Sequence, residues 1–177
     1  MNKNKGFTLI ELMLVVLIMG ILAGAMLGIV NIRGIQAKSR DARRVGDIKK
    51  MQTALELYFS DYRGYPESES WENINSGLSG TLIAGGYINN APDDPKEAGA
   101  GPEGVSCFGD KSLHGYYYIT TNCDGVGCLA TKYILGAIME VETSASDSLC
   151  SELNNCVGGS ISCSCGGLSC YGAENPL

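Results

Sequence analysis

The stretch Phe7–Val30, FTLIELMLVVLIMGILAGAMLGIV, decides how the rest of the chain is read. It is apolar throughout except for small or weakly polar residues and one charge, Glu11. As a helix rising ~1.5 Å per residue it spans roughly 36 Å, enough to cross a hydrocarbon core of ~30 Å with some tilt. A short basic leader, MNKNKG, precedes it, and a polar, basic stretch follows. A carboxylate inside such a run is costly, ~2.5–3.5 kcal/mol at a helix centre, and calls for a partner or a use. Thr8-x-x-Glu11 has the spacing of a capping box, in which the two side chains satisfy backbone donors at a helix start.

The leader with Lys3 and Lys5, followed by Lys5-Gly6-Phe7-Thr8-Leu9-Ile10-Glu11-Leu12, resembles the processing site of type IV pilins and their secretion-system relatives, the pseudopilins. The resemblance implies cleavage by a prepilin peptidase between Gly6 and Phe7, N-methylation of Phe7, and pairing of Glu11 with the Phe7 amine of a neighbouring subunit. A buried carboxylate is tolerable when an ammonium meets it. A competing reading is an ordinary secretory signal, with Leu9–Leu22 as its apolar core and Ala23-Gly24-Ala25 as the cleavage site. Glu11 argues against it, because a charge inside that core is poorly tolerated.

Charge is sorted along the chain. Residues 1–63 hold ten Lys or Arg against five Asp or Glu, and residues 64–177 hold three against fourteen, a net of −11 for the second part. A basic stem thus carries an acidic head, which is a poor nucleic-acid surface by itself. All eight cysteines follow residue 100: Cys107, Cys123, Cys128, Cys150, Cys156, Cys163, Cys165 and Cys170. An even number in a Gly- and Ser-rich setting favours disulfides and an oxidising compartment. The loop charges point the other way. Lys3 and Lys5 stand before the apolar run and Arg33, Lys38, Arg40, Arg43 and Arg44 after it, which by the positive-inside rule places the C-terminal side in the cytoplasm. The cysteines and the leader motif outweigh that count and put the head outside.

Five regions follow: a leader, 1–6; a membrane or filament-core helix, 7–30; an amphipathic stem helix, 31–65; a head, 66–141; and a Cys/Gly/Ser-rich region, 142–177. Gly20, Gly24 and Gly28 recur every four residues, a small-residue stripe that admits a second helix at close range. With no proline before Pro66, one helix is expected from Phe7 to about Arg63. Ile32, Ile35, Val45, Ile48, Met51, Leu55, Tyr58 and Tyr62 form its apolar side. Arg40, Arg43, Arg44, Lys49 and Lys50 are expected on a solvated face. Residues 67–110 read as a connector with a short helix in Ser76–Tyr87, where Leu78, Leu82 and Ile83 face inward. The run from Gly85 to Pro95, ending Ala91-Pro92-Asp93-Asp94-Pro95, extends the resemblance, since a Gly-Tyr-Ile segment leading into such prolines commonly precedes the sheet in that family.

GYYYITT at 115–121 and TKYILGAIME at 131–140 are strand signals around an Asp-Gly turn and predict an antiparallel hairpin. Tyr117 and Ile119 fall on one face, Tyr116 and Tyr118 on the other. A third strand is expected within Ser160–Tyr171. The fold class is α+β: a long N-terminal helix, its first half transmembrane, on a small antiparallel sheet with a disulfide-rich tail. Cys123 and Cys128 can close the hairpin loop if the turn brings their Cα atoms within about 7 Å; the other six cysteines allow fifteen pairings. A metal site built from Cys163, Cys165, Cys170 and His114 matches no common spacing. Calcium held by Asp93, Asp94, Asp110 or Asp124 is the one ion left open, and no cofactor is expected.

No catalytic set is present: there is no phosphate-binding loop, no dinucleotide fingerprint, and a single histidine without motif context. The chain is expected to be a structural subunit of a pilus-like filament, serving adhesion, motility, DNA uptake or secretion. Its expected partners are copies of itself, the prepilin peptidase, an assembly platform with its ATPase, and cytoplasmic-membrane lipid before assembly; nucleic acid is left open. It would sit in the cytoplasmic membrane, then in an extracellular pilus or a periplasmic pseudopilus. The alternative is a monomeric anchored or secreted binding module.

Overall fold

Strands that carry apolar side chains on both faces need cover on both sides, and that requirement organises the head. The computed structural model describes residues 6–29, 32–96, 108, 114–121, 130–141, 153 and 169–176. The elements are α1 (Leu9–Ile29), α2 (Ile32–Tyr62), β1 (Glu72–Asn73), α3 (Leu78–Ala84), β2 (Tyr116–Thr121), β3 (Lys132–Ile138) and β4 (Cys170–Glu174). Two compact units divide the chain, Met1–Ile35 and Gln36–Leu177. The expected unbroken helix passes through residues 30 and 31, which lie outside the described residues.

In the first unit, α1 contains an 18-residue stretch, Leu9–Met26, of mean hydropathy 2.5, and none of it is buried. By length and composition it is able to cross a membrane.

The second unit is built on a four-stranded antiparallel sheet in the order β1-β2-β3-β4. Tyr118 sits opposite Glu72 on one side and Leu135 on the other, and Leu135 opposite Ala173. The 116–121 and 132–138 strands match the expected hairpin. The additional strand lies at Cys170–Glu174, at and beyond the end of the expected window, and β1 was not anticipated. Two residues of β1 carry almost no periodic signal, and its place is set by pairing with β2.

One face of the sheet packs on α2. Ile48, Met51, Ala54 and Leu55 meet Tyr116, Tyr118, Tyr133, Leu135 and Ala137, all buried. The opposite face, with Tyr117, Ile119, Ile134 and Ile138, is covered by Trp71, Phe108 and Leu153. The tyrosine row of β2 is therefore interior on both sides. Phe108 stacks near Trp71 and Tyr117, with centroids 4.7 and 5.4 Å away. Its ring lies over Gly136, where a Cβ would overlap it.

Helix α2 ends where Arg63, not Gly64, takes the left-handed conformation, at φ 60°, its N–H donating to the Phe59 carbonyl. In α3, Leu78 and Leu82 are buried as expected, but Ile83 is 42% exposed. Leu78 and Leu82 are one turn apart and occupy the single face that a seven-residue helix turns inward.

Candidate assembly segment and the ionic core of the head

The first turn of α1 places the motif residues. Thr8 and Glu11 form a reciprocal cap: the Thr8 N–H donates to Glu11 Oε2 at 3.3 Å and the Glu11 N–H to Thr8 Oγ1 at 3.4 Å. The Thr8 hydroxyl also donates to Glu11 Oε2 at 3.2 Å. Phe7, the residue after the expected cut, is 84% exposed, and Leu9, Ile10, Leu12 and Met13 are each more than 60% exposed. A Cβ added at Gly20 or Gly24 would meet nothing within 4 Å, so that part of the small-residue stripe is open; Gly28 completes its spacing on α1. This unit carries a capped carboxylate at the head of an uncovered apolar rod. Such a rod has two ways to leave water, lipid or other rods.

The head contains a second arrangement, and it corrects the expected solvated basic face at Arg44 and in part at Arg40, while Arg43, Lys49 and Lys50 are exposed as expected. Arg44 is fully buried. Its Nε and Nη2 donate to the two oxygens of Asp94 at 2.8 and 2.6 Å, and its Nη1 to Asp41 at 2.6 Å and Glu140 at 2.9 Å. Arg40 makes a two-pronged bond to Glu140, at 2.7 and 2.6 Å, and Lys96 reaches the same carboxylate at 3.7 Å. Asp41 also accepts the Glu140 and Val141 N–H groups, each at 3.0 Å. Three cations and three carboxylates thus tie residues 40–44 of α2, the 91–96 segment and the chain just after β3 together. Buried charges persist only when paired and hydrogen-bonded in this way.

Each proton affinity follows from these contacts. Burial alone would lower the Arg44 pKa, but the hydrogen bonds to Asp94, Glu140 and Asp41 outweigh it and raise it. The Arg40 hydrogen bond, against the cost of burial and with help from Arg44, holds Glu140 down at about 2. His114, buried beside the cluster, has its pKa lowered by burial and by Arg44 and Lys96. As a neutral ring it donates from Nδ1 to the Ile138 carbonyl at 3.3 Å and accepts from Lys96 at Nε2, 3.4 Å.

Cys170 is buried in β4. Cys107, Cys123, Cys128, Cys150, Cys156, Cys163 and Cys165 lie outside the described residues, as do Asp110 and Asp124, so the expected pairings and part of the calcium set fall there. Asp94 is committed to Arg44, and Asp93 accepts from the Asn75 amide at 2.9 Å. The sequence reading missed the ionic cluster, although its signal was present. Asp41 and Arg44 stand three and four residues apart from each other and from Ile48, Met51 and Leu55, on the same stripe.

Residues 1–27 match the family model described as the prokaryotic N-terminal methylation motif. The type II secretion system core protein G of Aeromonas hydrophila is 34% identical over 102 residues, 53% of this chain and 68% of that protein. The corresponding protein of Klebsiella pneumoniae is 35% identical over 101 residues, 54% of this chain and 71% of its own length. That of Escherichia coli (strain K12) is 33% identical over 100 residues, 53% and 68% respectively. The chain belongs to the type IV pilin and pseudopilin family. No solved structure matches it. Membership makes the chain a structural subunit rather than an enzyme.

Proposed function

We infer that this chain is the filament-forming pseudopilin of a type II-like secretion system. The observation that carries the reading is Glu11, placed by a threonine cap at the tip of an uncovered apolar helix within a prepilin-type motif. The likeness to core protein G favours secretion over adhesion, motility or DNA uptake. A prepilin peptidase cleaves between Gly6 and Phe7, and Phe7 becomes the methylated amino terminus. α1 then lies in the cytoplasmic membrane with the head on the periplasmic side. Assembly transfers α1 from lipid to packing against other copies of α1, with the Gly20, Gly24 and Gly28 stripe allowing close approach. Glu11 draws in the new amine of the next subunit, because a carboxylate taken into an apolar core is stable only with a cation beside it.

Two variants separate this role from simple capping. Glu11→Gln keeps an oxygen for the Thr8 N–H but removes the charge. It should be cleaved normally and fail to form filaments, as should Glu11→Ala. Normal filaments from Glu11→Gln would reduce Glu11 to a helix cap.

A further inference from the structure

His114 is 3% exposed and takes no part in the assembly chemistry of α1. Both of its ring nitrogens are engaged: Nδ1 faces the Ile138 carbonyl at 3.3 Å and Nε2 faces Lys96 Nζ at 3.4 Å. An ammonium can only donate, so Nε2 must present its lone pair and the ring is neutral. The one remaining proton sits on Nδ1 and goes to the carbonyl, which fixes the tautomer from both sides.

The charges around this ring are complete without it. Residues 40–44 of α2 bring Arg40, Asp41 and Arg44, the 91–96 segment brings Asp94 and Lys96, and the chain just after β3 brings Glu140. Each of the three carboxylates already holds a guanidinium. Tyr116 and Tyr117, which follow His114 into β2, stay neutral because burial raises both. A proton on Nε2 would therefore set four cations against three carboxylates and aim a new N–H at an ammonium.

The three existing cations are not equally free to give way. Arg44 is fully buried with four hydrogen bonds, and Arg40 holds Glu140 with two. Lys96 is the loose member: its Nζ lies 3.7 Å from Glu140, and its side chain is already 37% exposed. Swinging Lys96 into water removes the repulsion at the smallest loss of contacts. The rest of the segment would stay tied through Asp94 on Arg44 and Asp93 on the Asn75 amide.

We propose that His114 is an acid-sensitive latch on the head. Neutral, it lets Lys96 dock beside Glu140 and closes the end of the 91–96 segment; protonated, it expels Lys96 and frees that end. The latch belongs to the head alone and does not depend on the filament reading. Burial, Arg44 and Lys96 lower the His114 pKa from its ordinary 6.5, so its share of the stability is whole above pH 6.5 and falls as pH drops below that value. Glu140 begins to titrate only below pH 4.5, which leaves the range between to His114 of these two.

His114 is the only histidine in the chain, so proton NMR of the full chain in detergent reads a single imidazole titration. It should fall below 6.5, and each pH unit of that displacement should appear as an about tenfold loss in the folding equilibrium constant on acidification. Hydrogen exchange at the Lys96 N–H, which donates to Asp94 at 2.9 Å, should speed up relative to the amides of β3 as the ring charges. His114→Gln should lose the fall in Tm between pH 7 and pH 5 and keep the one below pH 4.5. Lys96→Met, at a half-exposed site, leaves the ring in place; its imidazole should titrate at a higher pH than the parent's, with a smaller fall in Tm.

An imidazole that titrates at or above pH 6.5 would overturn the proposal, as would a His114→Gln chain that keeps the parent's slope between pH 7 and pH 5. A Lys96→Met chain whose imidazole titrates no higher than the parent's would overturn it too, because Lys96 would not be what the proton meets. So would a ring that charges while the Lys96 N–H stays as protected as before, since the latch would not have opened.

Discussion

Replacing Arg44 by Met keeps the length of the side chain and removes its charge. In the parent, Arg44 supplies both side-chain bonds that hold the Asp94 carboxylate, at 2.8 and 2.6 Å, and one each to Asp41 and Glu140. Glu140 would keep Arg40, and Asp41 would keep two backbone N–H groups. Among the described residues, Asp94 would keep only the Lys96 N–H at 2.9 Å. The Asp94 side chain is 5% exposed, so water cannot replace the guanidinium without opening the 91–96 segment. Removing one partner of a buried ion pair costs about 3–5 kcal/mol. For a unit of this size that corresponds to a fall in Tm of roughly 10–20 °C. The assay is thermal unfolding of the full chain in detergent at pH 7, followed by near-ultraviolet circular dichroism of the buried tyrosines. R44M/D94L, which removes the stranded charge, should recover a substantial part of the loss. An R44M melt within about 3 °C of the parent would refute the view that these charges hold the head together.

Two further outcomes follow from the same packing. Glu140 has its folded pKa lowered to about 2 from 4.5, so its stabilisation is fully present above pH 4.5 and is lost as pH falls from there toward 2; Glu140→Gln should lower Tm at pH 7 and flatten its decline through that window, and an unchanged slope would count against the assignment. Gly136→Ala drives a methyl group into the Phe108 ring and should cost about 1–3 kcal/mol, measured by denaturant unfolding, with a smaller cost in a background already carrying Phe108→Leu.

The long apolar segment, the hairpin and its two faces were legible because each is a strong local pattern: an uninterrupted apolar run, then period-two strands rich in aromatic and β-branched residues. The motif residues were legible because their spacing is specific. What escaped was set by tertiary structure. Arg44 was assigned to a solvated face because basic residues on a helix usually belong there, and only the convergence of Asp41, Asp94 and Glu140, up to 99 residues apart in sequence, makes its burial tolerable. β1 is two residues long and exists through its partner. Phe108 and Trp71 were hidden in a stretch read as connector, because covering the second face of the sheet is a demand of the assembled sheet and leaves no periodicity of its own. Ile83, read as facing inward with Leu78 and Leu82, stands about 100° around the helix from Leu82 and is 42% exposed.

The most direct test of the central claim is the intact mass and N-terminal sequence of the protein taken from its native membrane. The account predicts a chain that begins at methylated Phe7, lacking MNKNKG. A start at Met26 would mean ordinary secretion of a soluble head, and an unprocessed Met1 would mean a single-pass anchor in which Glu11 only caps its helix; either result contradicts the account.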